Sequence, residues 1–171
     1  LYMGLNSSKI NFEKSTFILS DDRLLENKNL NSNEGFLLKY LFNSKQKNKP
    51  NYISLKKNNL NILKNIKPNL SILGMGLDCH TASIFPDDKY LRVKTDLLYY
   101  NTRKISESFD RRTLSFNFLL KSDKIIILIS GKEKVELILE CISKRFNPSK
   151  YPIQYLIKNY KKDIAVYCDY T

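Results

Sequence analysis

The sequence predicts an α/β fold, a mostly parallel sheet flanked by helices, and two observations carry that reading. Strand-length aliphatic runs recur along the chain, among them "NLSIL" (69–73) and "KIIILIS" (124–130). Segments with the apolar spacing of helices stand between and after them, such as "KEKVELILECI" (132–142). Alternation of the two is the mark of strand–helix–strand units, whose strands pair in parallel.

Taken in order, "STFILS" (15–20) reads as a buried strand running straight into "DDR" (21–23). Asn31 with Glu34 three residues on resembles a capping pair, after which Phe36, Leu37, Tyr40 and Leu41 lie on one helical face. Residues 43–69 are polar, with Pro50 and Pro68, and predict a surface excursion with a short helix over 58–66. "NLSILGMG" (69–76) is a strand ending in a glycine turn, and "LLYYNT" (97–102) and "RRTLSF" (111–116) are further strands. "KIIILIS" is followed by Gly131 and a helix whose stripe is Val135, Ile138, Leu139 and Ile142. A final helix over 151–160 and a closing strand over 163–170 complete the chain. No repeat or low-complexity linker divides the 171 residues, so they are expected to form one domain, 1–171.

Composition narrows the function. Hydrophobic residues make up 42% and charged residues 27%, the balance of a soluble globular chain. The aliphatic run "IIILI" (125–129) is far too short to cross a bilayer, and "LYMGLNSSKI" lacks the basic and apolar regions of a signal peptide. Cys79, Cys141 and Cys168 are odd in number and widely spaced, which gives neither a disulfide framework nor a metal-binding pair. They read as reduced thiols of a cytoplasmic protein. The net charge of +12 admits a basic nucleic-acid-binding module. The lysines are scattered among asparagines, however, without base-reading geometry. The expected partner is an anionic small molecule, not a nucleic acid or a membrane.

In open α/β sheets ligands bind beyond the carboxyl ends of the strands. Asp21, Asp22 and Arg23, the loop from Gly74 to His80, and the segment Gly131–Lys134 all follow predicted strands. His80 is the chain's single histidine. It stands just after a strand and a G-x-G turn, where a loop presents it to a cleft. Imidazole changes charge between about pH 5 and 8, so it can take a proton from water at neutral pH and return it to a leaving group. Gly74 and Gly76 can bring backbone N–H groups close to an anion. Ser83 lacks the strained elbow that a nucleophilic serine needs, and Asp21 reads as a structural cap.

"LGMGLDCHTASIFPD" (73–87) resembles the signature of the 6-phosphogluconolactonases. "ILSDDR" followed by "NSN" (31–33), "RRTLSF", "LISGKEKVELIL" and "YPIQYL" resemble that family's other segments in order and spacing, from about residue 15 to the end. The resemblance implies a Rossmann-like α/β domain, a monomer, acting in the pentose phosphate pathway. It implies hydrolysis of 6-phospho-D-glucono-1,5-lactone to 6-phosphogluconate without metal or cofactor. His80 matches the catalytic base and Asp78 the acidic position that orients it. Arg23 and Lys134 match basic positions associated with the substrate, and Arg112 matches the arginine of the Arg-Thr-Leu segment. A guanidinium fork and an ammonium suit a phosphate dianion. Two departures follow. The family opens with a further strand, helix and Gly-rich phosphate loop, so the chain is expected to be incomplete at its N-terminus, with "LYMGLNSSKI" the connection that follows that piece. Cys79 stands where the family has glycine, which predicts a strained residue with positive φ beside the histidine. A sugar-phosphate-binding relative without turnover is the alternative these departures leave open.

Overall fold

A computed structural model of the chain describes residues 4–5, 10–26, 29–42, 50–93, 95–104, 106 and 108–170. In chain order the elements are β1 (Thr16–Ile18), β2 (Asp21–Arg23), α1 (Asn33–Tyr40), β3 (Asn51–Ile53), β4 (Leu70–Gly74), β5 (Tyr99–Arg103), β6 (Asp110–Leu114), α2 (Phe116–Leu119), β7 (Lys124–Ser130), α3 (Lys132–Ser143), α4 (Ile153–Asn159) and β8 (Ile164–Asp169). Single 3-10 turns cover Asn61–Asn65 and Lys89–Leu91.

The aliphatic runs build a parallel sheet in the order β4-β7-β8, with Leu70 opposite Lys124 and Ile125 opposite Ile164. Ile125, Ile127 and Ile129 alternate into the core, where they join Val135, Ile138 and Cys141 of α3 and Ile153 and Leu156 of α4. Burying each such isoleucine contributes about 1.5–3 kcal/mol. β1 and β3 form a second, two-stranded parallel pair. The remaining sheet, β2-β6-β5, is antiparallel and rich in charge: Asp22 lies opposite Arg112 and Arg23 opposite Arg111. Parallel pairing thus predominates, as expected, and the antiparallel sheet is added to it.

Several local expectations change. The strand at 15–20 ends at Ile18, and the chain changes sheets before Asp21, so "DDR" is itself a strand. The cap of α1 is Ser32, not Asn31: its side chain accepts from the Gly35 N–H at 2.9 Å. The buried face of α1 is Glu34, Gly35 and Leu37 followed by Leu41, while Phe36 is exposed and stacks on Tyr40 at 4.4 Å. The segment read as a surface excursion contains β3 and the buried residues Leu55, Leu60 and Leu63; its part 43–49 lies outside the described residues, as do 1–3 and 6–9 of the expected connection. In α3, Leu139 and Ile142 face outward and Cys141 takes the inward position, because the buried spacing is 135, 138 and 141. No helix among the described residues is long and apolar enough to cross a membrane.

Candidate active site

β4 and β7 run parallel with Gly74 opposite Leu128, so the loop that follows β4 and the start of α3 leave the sheet at one edge. The loop closes on itself. The Gly76 N–H donates to the His80 carbonyl and the Cys79 N–H to the Gly76 carbonyl, each at 3.0 Å. The Thr81 hydroxyl donates to the Gly74 carbonyl at 2.9 Å. Cys79, Ala82 and Asp87, at φ 62°, 52° and 60°, are the non-glycine residues with positive φ among the described residues, and all flank His80. Such conformations cost of order 1–3 kcal/mol each and gather at functional sites. The strain anticipated at Cys79 is therefore present. Gly76 answers to space: a Cβ there would lie 2.2 Å from the His80 ring. Its N–H is taken by the His80 carbonyl and is not offered to an anion, contrary to the expectation from the G-x-G turn.

His80 Nδ1 is hydrogen-bonded to Asp78 Oδ1, and the other carboxylate oxygen of Asp78 lies 3.3 Å from Lys104 Nζ. Burial opposes ionisation of Asp78, but the hydrogen bonds and charge of His80 and the Lys104 ammonium outweigh it and hold the carboxyl well below the usual range. The carboxylate therefore stays charged, and a neutral imidazole beside it turns Nδ1–H toward it, which leaves Nε2 as the acceptor. The His80 ring packs at 4.9 Å on Phe85, over which Lys104 and Arg111 also sit, at 5.6 and 5.7 Å. Arg111 pairs with Asp21 at 3.7 Å, and Asp21 accepts from the buried Ser83 hydroxyl at 2.6 Å. Asp21 is thus a member of this network and not a helix cap.

The sequence-predicted residues divide. Asp78 and His80 are in contact, and Gly74 and Gly76 shape their loop. Lys134 is half-buried in the first turn of α3, at the same sheet edge. Arg23 donates to the Asn31 carbonyl at 2.8 Å and stacks on Phe109 at 5.8 Å. Arg112 uses Nη1 on the carbonyls of Leu55 and Lys57, both at 2.7 Å, and Nε on Asn101 at 2.8 Å. It clamps the segment after β3. The neighbouring Arg111, not Arg112, reaches the Phe85 and Asp21 group. Lys104 and Arg111 were missed because no local pattern marks them; the β5–β6 pairing brings them there, with Thr102 opposite Arg111. A separate concavity of about 670 Å³, lined by Tyr90, Arg92, Lys121 and Tyr155 among others, contains none of these residues.

Comparison with known proteins bears on the family and the fold. The sequence model of the family described as "Glucosamine-6-phosphate isomerases/6-phosphogluconolactonase" matches residues 1–165. The 6-phosphogluconolactonase of Helicobacter pylori is 28% identical over 177 aligned positions, which cover 98% of this chain and 77% of that protein. The solved 6-phosphogluconolactonase of Thermotoga maritima superposes with a TM-score of 0.76 at 27% identity, covering 99% of this chain and 79% of that one. The enzyme from Shewanella baltica, at 23% identity, shares the fold with a TM-score of 0.86 over 98% of this chain and 77% of its own. The chain belongs to the glucosamine-6-phosphate isomerase/6-phosphogluconolactonase family.

Proposed function

We propose that this chain hydrolyses 6-phospho-D-glucono-1,5-lactone to 6-phosphogluconate, with His80 as general base. The observation that carries the reading is the Asp78–His80 pair at the carboxyl end of β4. With Nδ1–H held by Asp78, Nε2 takes a proton from a water molecule as its oxygen attacks the lactone carbonyl. The tetrahedral adduct collapses by expelling the ring oxygen, which the imidazolium reprotonates, so one water is added and His80 is restored. Asp78 stabilises the transient imidazolium. Arg23, Lys134 and the amino end of α3 supply the cationic side of the site for the phosphate, with Gly74 closing β4 at the same sheet edge. Arg112 supports the site by holding the segment after β3.

The test is lactone hydrolysis by the parent chain and by His80→Gln. General-base catalysis is worth about 10²–10⁴-fold, and a loss of that size with unchanged thermal unfolding supports the role. A variant within about a factor of two of its parent overturns it, since removal of a base must cost far more. Binding of 6-phosphogluconate without any turnover by the parent favours a non-catalytic relative.

A further inference from the structure

We propose that Cys79 and Cys141 form a reversible disulfide that fastens the His80 loop to α3 and lowers turnover at the site. The bond is inferred from the thiol geometry alone; its effect on turnover rests on the lactonase reading. The two sulfur atoms are 3.0 Å apart although 62 residues separate them in sequence. Both residues are buried, so each thiol faces the other and not solvent. A disulfide needs a sulfur–sulfur distance of about 2.05 Å, a closure of roughly 1 Å. Cys168, by contrast, is exposed on β8.

The chemistry balances with a peroxide as oxidant. Both S–H bonds are broken, one S–S bond forms, and hydrogen peroxide is reduced to two waters; a small thiol reductant reverses the change. Burial pushes both thiols up from their ordinary ionisation range. Thiolate, the reactive form, is then scarce and the bond forms slowly. Cys79 holds φ at 62°, and its carbonyl accepts from the Ile153 N–H at 3.1 Å. Its backbone is thus tied from the α4 side while its side chain is drawn toward α3. His80 is the next residue, and its ring has no slack against Gly76, where even a methyl group would lie 2.2 Å away. A shift of about 1 Å at a reacting group can cost up to about a hundredfold in rate.

The experiment uses the full chain with Cys168→Ser, which removes the exposed thiol. The protein is treated with hydrogen peroxide, quenched, alkylated and peptide-mapped, with lactone hydrolysis followed in parallel. The expected result is a cross-linked peptide joining Cys79 to Cys141 and a roughly tenfold or greater fall in turnover, reversed by dithiothreitol. Adding Cys141→Ser leaves activity insensitive to the same treatment; Cys141→Ala serves if the hydroxyl disturbs packing. Two thiols still free, or oxidised to sulfinic acid without a cross-link, overturn the bond. A cross-link with undiminished turnover overturns the effect on the site. A parent chain with no lactonase activity removes the functional reading, while the peptide map still decides the bond.

Discussion

The aspartate–lysine pairs at Asp22 and Asp78 are of nearly equal length and behave in opposite ways. Asp22 is 3.5 Å from Lys56 and Asp78 is 3.3 Å from Lys104. The Asp22 side chain is 1% exposed and that of Asp78 is 32% exposed. Burial dominates at Asp22 and pushes its carboxyl above the ordinary value, despite Lys56 and the Asn33 N–H. At Asp78 burial also pushes upward, but His80 and Lys104 prevail and the carboxyl is held low. Distance to one lysine therefore does not decide the state of a carboxylate; the balance between burial and all of its partners, His80 included, does. The first pair is architectural. Lys56 also meets Glu34 at 3.1 Å and the Ser32 hydroxyl at 3.2 Å, joining β2 and α1 to the segment after β3. The second stands partly in solvent beside the imidazole.

The comparison is broken most severely at Lys56. Lys56→Met leaves Asp22 and Glu34 buried without their cation, and removing one partner of a buried pair costs about 3–5 kcal/mol. Urea unfolding measures it, and a loss under about 1 kcal/mol would place this pair with surface ion pairs. Asp78→Asn frees the imidazole from its anchor, so turnover is expected to fall roughly tenfold or more, while the unfolding midpoint at neutral pH falls only by what the Asp78 charge contributes to the fold. The fall should stop short of the about 10⁴-fold cost seen where a buried aspartate orients a catalytic-triad histidine. Steady-state kinetics beside thermal unfolding separate the two quantities.

Acid titration sharpens the contrast through opposite signs. Unfolded aspartate titrates near about 3.9. With its folded value above that, Asp22 makes the native state bind the extra proton in the window between, so stability falls as pH rises through it. With its folded value below, Asp78 makes the unfolded chain bind the extra proton, so its contribution is present above about pH 3.9 and lost as pH falls toward the folded value. Urea midpoints taken across pH should show Asp22→Asn flattening the decline toward neutrality and Asp78→Asn flattening the acid loss. Matching slopes for the two variants would contradict the assignment. The smallest effect is on the stability of Lys104→Ala, expected within about 1 kcal/mol because its ion pair is partly solvated; chemical denaturation checks it.

Legibility in the sequence followed the same division. β7 occupies the residues its aliphatic run predicted, 124–130, because one buried apolar face writes itself as a run. The His80 loop is legible because a glycine turn, an acid and an imidazole lie within seven residues. β2 is "DDR" and β6 opens on "DRR", with the Asp21–Arg111 ion pair between the two strands; apolar periodicity carries no trace of such pairing. Lys104 and Arg111 therefore stay hidden in the sequence. The cap of α1 was displaced by one residue because Asn31 and Ser32 are both capping types, and only the backbone decides between them.

The His80 loop is moored to distant, later parts of the chain. The Ile153 N–H donates to the Cys79 carbonyl, the Asp87 N–H donates to the Ser149 carbonyl, and Cys141 packs on Cys79. A ribosome makes protein from the N-terminus at about 5–20 residues per second. The histidine and its aspartate leave the exit tunnel well before the helix that holds them. Until residues 149–153 have followed, the loop lacks its moorings, with Cys79, Ala82 and Asp87 obliged to hold unfavourable backbone angles unaided. The geometry of this loop is therefore set only after residues 149–153 have been made, as α4 docks against it.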